Sequence, residues 1–293
     1  LPKLPKKCYT EKKEVLPVAK KISHPQKNTA HPEGVFPAFK KSGEAYFRAS
    51  LTCRRKHISL GSFPTAEEAH AAYLEGRRVL EDNTLTPENY PADCLLPFEK
   101  WVCLANYRDN GIYFGNPIYV GRRLFYYYLS PAKVLKFDPD DLFYYSSHKI
   151  MSRGNHYFVA DYGLQVSIVS RYGIRPYARP GRDFRFINGD PTDFRRENLE
   201  IINLYHGVTA EQKKGQYIYT VRIHVNGNLL VGRYDDEVTA AIAYNKAADI
   251  LKRNGLKKNF PQNYIEGLSP SRYAELYSSL QIPPKILNLY FSE

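Results

Sequence analysis

The sequence predicts an α+β protein: two small modules, each a three-stranded antiparallel sheet with one helix, flank a middle region, with extended arms at both ends. Three observations carry this reading. An apolar pattern at helical spacing occurs twice, at Ala69, Ala72, Tyr73, Gly76, Val79 and Leu80 and again at Ala240, Ala243, Tyr244, Ala247, Ile250 and Leu251. Alternating segments with turn signals precede each copy, and both copies enter their helix through a matching strand end, Gly61 and Phe63 against Gly232 and Tyr234. Residues 1–30 have no periodic apolar pattern and carry eight lysines against two glutamates, with four prolines.

The 293 residues allow two or three domains, each with a small core. Lysine and arginine number 42 against 30 acidic residues, a formal charge of +12, so a polyanion is the expected partner. Apolar content of 43% and aromatic content of 14% exclude a disordered chain. No apolar run is long enough to span a membrane, so no membrane partner is expected. Four cysteines without a paired Cys-x-x-Cys spacing argue against a zinc ribbon and a disulfide framework. No cofactor and no metal site are expected.

Residues 1–30 read as an extended basic arm, whose Lys3, Lys6, Lys7, Lys12, Lys13, Lys20 and Lys21 are candidate phosphate contacts. The chain begins at Leu1 and its sole methionine is Met151; removal of an organellar transit peptide would fit this start. The first module, residues 31–83, has alternating segments at 47–51 and 57–61 with residues 53–56 between them. Its helix, 64–83, starts on a Thr65/Glu68 capping pattern. Residues 39–60 carry Lys40, Lys41, Arg48, Arg54, Arg55 and Lys56 against Glu44, whereas the helix is acidic. A basic sheet backed by an acidic helix suits a phosphate-facing surface, and His57 joins that candidate set.

Residues 84–135 read as a strand-rich connection around Trp101, Tyr113, Tyr119 and Arg122-Arg123; residues 136–204 form the middle domain. The 25 tyrosines cluster at 126–128 and 144–145, where alternation puts one face in a core and leaves the other for a partner. His148 and His156 lack a further ligand at metal spacing and read as surface histidines. Cys94 and Cys103 read as structural thiols, and Asp138, Asp140 and Asp141 as a helix start or turn.

The second module, residues 205–262, alternates from Tyr219 to Val225, turns at Asn226-Gly227 and returns from Leu229 to Gly232. Its candidate contacts are Lys213, Lys214, Tyr217, Tyr219, Arg222, His224, Lys257 and Lys258. In residues 263–293, Ser269-Pro270 starts a short helix, Pro283-Pro284 stop it, and the apolar tail 286–291 is expected to dock on this chain or a neighbour.

Both modules resemble the Apetala-two/ethylene-responsive-factor domain. The matching residues are Gly34-Val35 and Gly207-Val208, Leu60-Gly61-Ser62-Phe63 and Val231-Gly232-Arg233-Tyr234, the Ala240 to Tyr244 helix and Asn259-Phe260-Pro261. That resemblance implies a sheet that enters a nucleic-acid groove. Phe47 and Tyr219 stand where the family has a tryptophan. Phe36-Pro37-Ala38 and Thr209-Ala210-Glu211 stand where it has arginines. Without those arginines, backbone contact is expected over base reading.

From Phe186 to Leu199 the middle domain resembles the HNH homing-endonuclease core, which implies a ββα-type unit. In this resemblance Phe186 occupies the histidine position, Arg185 the metal-binding aspartate position, and Asn198 the bracing asparagine. Phenylalanine cannot deprotonate water and arginine repels a divalent cation, so no nuclease activity is expected. Gly189 is expected to make the turn that Asn198 holds.

The reading that joins these features is a non-catalytic, structural, RNA-bound component of a large ribonucleoprotein, such as an organellar (mitochondrial) ribosome, with neighbouring proteins as further partners. The alternative is a DNA-binding regulator derived from an inactivated HNH endonuclease, in the nucleus or a nucleoid.

Overall fold

A computed structural model describes residues 31–213 and 215–291. The first module pairs β1 (Val35–Phe39), β2 (Ala45–Cys53) and β3 (Lys56–Phe63) in antiparallel order β1-β2-β3, and α1 (Ala66–Glu81) lies on one face. Alternation sends Val35, Ala49, Leu51, Ile58 and Leu60 toward the small-residue stripe of α1, Ala69, Ala72 and Gly76. Gly76 has a packing reason: a β-carbon there would meet Leu60 and Leu51 at 3.0 and 3.1 Å. Thr65 caps α1 by accepting from the Glu68 amide at 3.1 Å, as its sequence position predicts.

The strand-rich reading of residues 84–135 is corrected by α2 (Phe98–Asn110), which packs on α1 and buries Trp101, Leu104, Ala105 and Tyr107. All seven residues from Trp101 to Tyr107 are buried, so the helix has no polar stripe and its sequence shows no helical period. Its end at Gly111, with φ of 73°, was the available signal. Arg108 ties the two helices together. One guanidinium nitrogen, Nη1, donates to the carbonyls of Val79, Asp82 and Leu85 at 2.7, 2.6 and 2.9 Å, which satisfies the open end of α1.

The middle domain stacks two antiparallel sheets and a short pair around aromatic side chains. The first sheet is β4 (Ile118–Val120), β5 (Phe125–Ser130) and β6 (Lys133–Phe137). After α3 (Leu142–Ser147) comes the second, β7 (Ile150–Arg153), β8 (His156–Asp161) and β9 (Leu164–Ser167). Phe137 is the centre, with its ring 5.3 Å from Phe125, 4.4 Å from Tyr145 and 5.7 Å from Phe194. Alternation holds from Phe125 to Tyr127, with Tyr126 alone not buried, but Tyr128 is buried as well, and the second cluster is corrected: Tyr144 and Tyr145 lie in α3, not in a strand.

The HNH-like stretch forms a short antiparallel pair, β10 (Phe184–Phe186) and β11 (Leu199–Ile201). Gly189 makes the turn at φ of 77°, and buried Asn198 accepts from the Asn188 amide and donates to the Asp193 carbonyl, both at 2.8 Å. The helix expected for a ββα unit is missing. The chain passes from Ile201 straight to the next strand, because buried Asn203 donates to the Arg182 carbonyl and accepts from the Ala210 amide.

The second module repeats the first: β12 (Val208–Lys213), β13 (Gln216–His224) and β14 (Asn228–Tyr234) in order, with α4 (Glu237–Arg253) on one face. The likeness extends to irregularities. A bulge breaks the ladder after Ala49 in one sheet and after Val221 in the other, and it leaves Leu60 and Val231 as the extra residues. Next to it, Ser50 donates to the Gly34 carbonyl and Arg222 to that of Gly207. Asp236 caps α4 where Thr65 caps α1.

After the second module come α5 (Pro270–Ser279), capped by Ser269, and α6 (Pro284–Leu287). The apolar tail docks on this chain: Ile286 is fully buried, the Asn254 amide donates to the Leu287 and Leu289 carbonyls, and the Phe291 amide returns a bond to Asn254. No described helix is long and apolar enough to cross a membrane.

Candidate nucleic-acid interface

Each helix covers one sheet face and leaves the other open. On the first sheet the open face carries Phe36, Ala38, Tyr46, Arg48, Ser50, Thr52, His57, Ser59 and Ser62. Its centre carries hydroxyls and one exposed cation, Arg48, while the other predicted cations sit at the two ends.

Several of the predicted cations are already engaged. Arg54 is exposed but engaged: its guanidinium donates to the Tyr107 and Arg108 carbonyls, at 3.1 and 3.4 Å, and lies over the Tyr107 ring. It caps the end of α2, which favours positive charge. Lys56 rests over the Tyr113 ring at 5.1 Å, and Lys40 pairs with Glu44 at 2.9 Å. Arg48 is steadied by the Tyr46 hydroxyl at 2.7 Å but stays exposed, and His57 lies 3.5 Å from the Thr52 hydroxyl. Lys41 and Arg55 are exposed and make no side-chain contact among the described residues.

On the second sheet, Arg222 is exposed on the open face, while Ile223 on its inner side is fully buried. Arg233 sits opposite Thr220 on the same face. Neither guanidinium forms an ion pair among the described residues. Alternation does not assign the face of Arg233, because the bulge at Val231 breaks it. The repeat itself held the signal, since Arg233 follows Gly232 as Ser62 follows Gly61. Around the two bulges the modules thus present Arg48 and Ser62 in one, beside the buried Ser50, and Arg222 and Arg233 in the other, beside the buried Thr220.

Lys213 lies 3.5 Å from Glu211, and His224 contacts Asn228 at 3.0 Å. Lys258 is turned back, its ammonium donating to the His224 carbonyl at 2.8 Å, whereas Lys257 is exposed. Tyr219 is a correction: it packs on the helix side of the sheet against the core, and Tyr217 stacks beside it at 6.5 Å. Lys3, Lys6, Lys7, Lys12, Lys13, Lys20, Lys21 and Lys214 lie outside the described residues.

In the HNH-like stretch, Arg185 pairs with Glu200 at 2.6 Å across the β10–β11 ladder. The Phe186 ring packs edge-on against Phe184 and Phe194, both at 5.5 Å. Among the described residues no group of three or more His, Cys, Asp or Glu side chains is placed to hold a metal ion. Asp190 nearby is a structural carboxylate. Burial would raise its pKa, but the Lys136 ammonium at 2.7 Å and two bonds from Thr192 bring it down to about 2.

The other singled-out residues are structural. His148 stacks on Tyr144 and lies 3.7 Å from Asp161; His156 is exposed at a hairpin end. Cys94 donates to Glu75, and burial and that carboxylate push its pKa up to about 12; burial does the same to Cys103. Neither thiol is a thiolate near neutral pH. Asp138 accepts from the Arg196 amide, and Asp141 holds Arg171 and the Tyr172 hydroxyl, each at 2.7 Å. No protein-family model, no curated protein and no solved structure matches this chain.

Proposed function

We propose that this is a non-catalytic nucleic-acid-binding protein that serves as a structural, RNA-bound component of a large ribonucleoprotein, an organellar ribosome being the obvious case. One observation carries the reading: two equivalent sheet faces are left open, and Arg222 and Arg233 stand on one of them unneutralised by any described carboxylate. Unpaired guanidinium groups on an open, twisted sheet suit phosphate oxygens, which accept two parallel bonds from the planar fork. The pairing of Arg185 with Glu200 and the packing of Phe186 support a locus without nuclease chemistry. RNA is favoured over DNA because Phe36-Pro37-Ala38 and Thr209-Ala210-Glu211 stand where the Apetala-two resemblance expects base-reading arginines.

The test is to purify the protein without nuclease treatment and identify the nucleic acid that travels with it. Co-sedimentation with ribosomal RNA is expected, with steep salt dependence and little preference among DNA sequences. Enrichment of one short DNA motif would instead support the regulator, and magnesium-dependent cleavage abolished by chelation would overturn the non-catalytic reading.

A further inference from the structure

The loop between β9 and β10 contains Arg175-Pro176-Tyr177-Ala178 followed directly by Arg179-Pro180-Gly181-Arg182. These are two tandem turns of one design. In each, the last residue's amide donates to the carbonyl of the leading arginine, at 3.2 Å in both. In each, proline comes second and the third residue has positive φ, 64° at Tyr177 and 80° at Gly181. Proline followed by positive φ is the signature of a type II turn, whose third position normally takes glycine. The second turn obeys this rule and the first puts a tyrosine there.

Nothing in the fold explains that tyrosine. Its residue is 92% exposed, and its ring makes no hydrogen bond, ring contact or cation contact among the described residues. A strained backbone position holding a large aromatic ring in water stabilises nothing within the chain, and such positions concentrate at binding sites. The surroundings are rigid and cationic. Fully buried Asp183 accepts from Arg175 at 2.6 Å, from Arg182 at 2.8 Å and from the Arg179 amide at 2.8 Å. Backbone bonds from Ile202 and Asn203 to the Asp183 carbonyl fix this hub to the start of the second module. One carboxylate thus gathers Arg175 and Arg182, while the exposed Arg179 guanidinium has no partner among the described residues.

We propose that Tyr177 is a stacking platform for an unpaired RNA base, with Arg179 and the outer edge of Arg182 holding the adjoining phosphate. This rests on the nucleic-acid reading above but assigns a separate site, on a loop, for single strands. A tyrosine face accepts any base, and a neighbouring cation tracks the backbone, which is how sequence-tolerant single-strand contacts work. Tyr162 supplies the internal control. It is 99% exposed with φ of 47°, but it sits in a hairpin turn beside Asp161 and Gly163, where no arginine flanks it and hairpin twist accounts for the backbone.

The experiment measures binding of the full chain to a labelled oligouridine of about twelve nucleotides and to an RNA duplex of similar length. Tyr177→Ala should weaken single-strand binding roughly tenfold and leave duplex binding within about twofold, and Tyr177→Phe should retain both. Tyr177→Gly should lose single-strand binding without lowering the melting temperature, since glycine relaxes the turn. Tyr162→Ala should change neither. A Tyr177→Ala protein that binds the single strand as the parent does would overturn this site alone, as would an equal loss from Tyr162→Ala. A parent that binds neither RNA would overturn both this site and the proposed function. Loss of a protein partner with RNA binding intact would assign the loop to protein and overturn the proposal.

Discussion

Tyr244 lies directly over the α-carbon of Gly207, so close that a β-carbon there would overlap the ring; Tyr73 stands in the same relation to Gly34. Both glycines have positive φ, 72° and 78°, and each carbonyl accepts from the residue that follows the bulge in the central strand. One contact therefore locks helix, edge strand and central strand together in both modules. It joins the two residue types at the heart of the internal repeat.

Replacing either glycine should be costly for two separable reasons. Gly207→Ala combines an unfavourable left-handed backbone with a clash against Tyr244, and should lose roughly 2–4 kcal/mol in urea denaturation. Gly215→Ala has the same kind of backbone (φ of 83°) with nothing within 4 Å, and should lose only about 1 kcal/mol. Equal losses at the two sites would show that the tyrosine contact contributes nothing.

Arg108 should matter for stability, since its side chain is 8% exposed and serves three carbonyls. Arg108→Met leaves those acceptors without their donor and Asp109 with the Tyr119 hydroxyl in place of its ion pair, and should cost roughly 3–5 kcal/mol. Arg108→Lys should recover little, because one ammonium cannot serve the three carbonyls and also grip Asp109 as Nε and Nη2 do. Thermal melts of both variants check this.

Among the cations, open-face arginines and capping arginines should behave differently. Arg222→Ala and Arg233→Ala should each lower the slope of log affinity against log salt by about 1 and leave the melting temperature unchanged. Arg54→Ala should do the reverse, because its guanidinium is held on α2. A salt titration of RNA binding run beside melting curves separates the two classes.

The Lys136–Asp190 pair predicts an acid limb. The folded carboxyl has its pKa lowered from 3.8 to about 2, so its stabilising contribution is complete above the ordinary value and fades as pH falls through the folded one. Stability of the parent should therefore drop between about pH 4 and pH 2 through this group, and Asp190→Asn should flatten that part of the curve. Denaturation series over that range measure the difference.

Much of the fold was legible in the residue pattern. Both sheet-and-helix modules, the Thr65 and Ser269 caps, the Asn226-Gly227 return, the docked tail and the Gly189/Asn198 turn follow from local periodicity and turn chemistry. These features are short-range, so neighbouring residues suffice to specify them. The candidate interface was less legible. Alternation placed Arg222 and Arg48 on open faces, but a one-residue bulge hid Arg233, and only contacts distant in sequence removed Arg54, Lys56 and Lys258 from the free cations.

The sequence by itself determined the α+β class and the duplication, because each is written in residue type and spacing. The tertiary structure decided that Trp101 to Tyr107 is a helix buried all round, that no helix follows Ile201, and which cations remain open to a partner. Periodicity reports a boundary between core and water; a segment with core on every side, or a cation drawn onto a distant carbonyl, carries no such boundary in its own sequence.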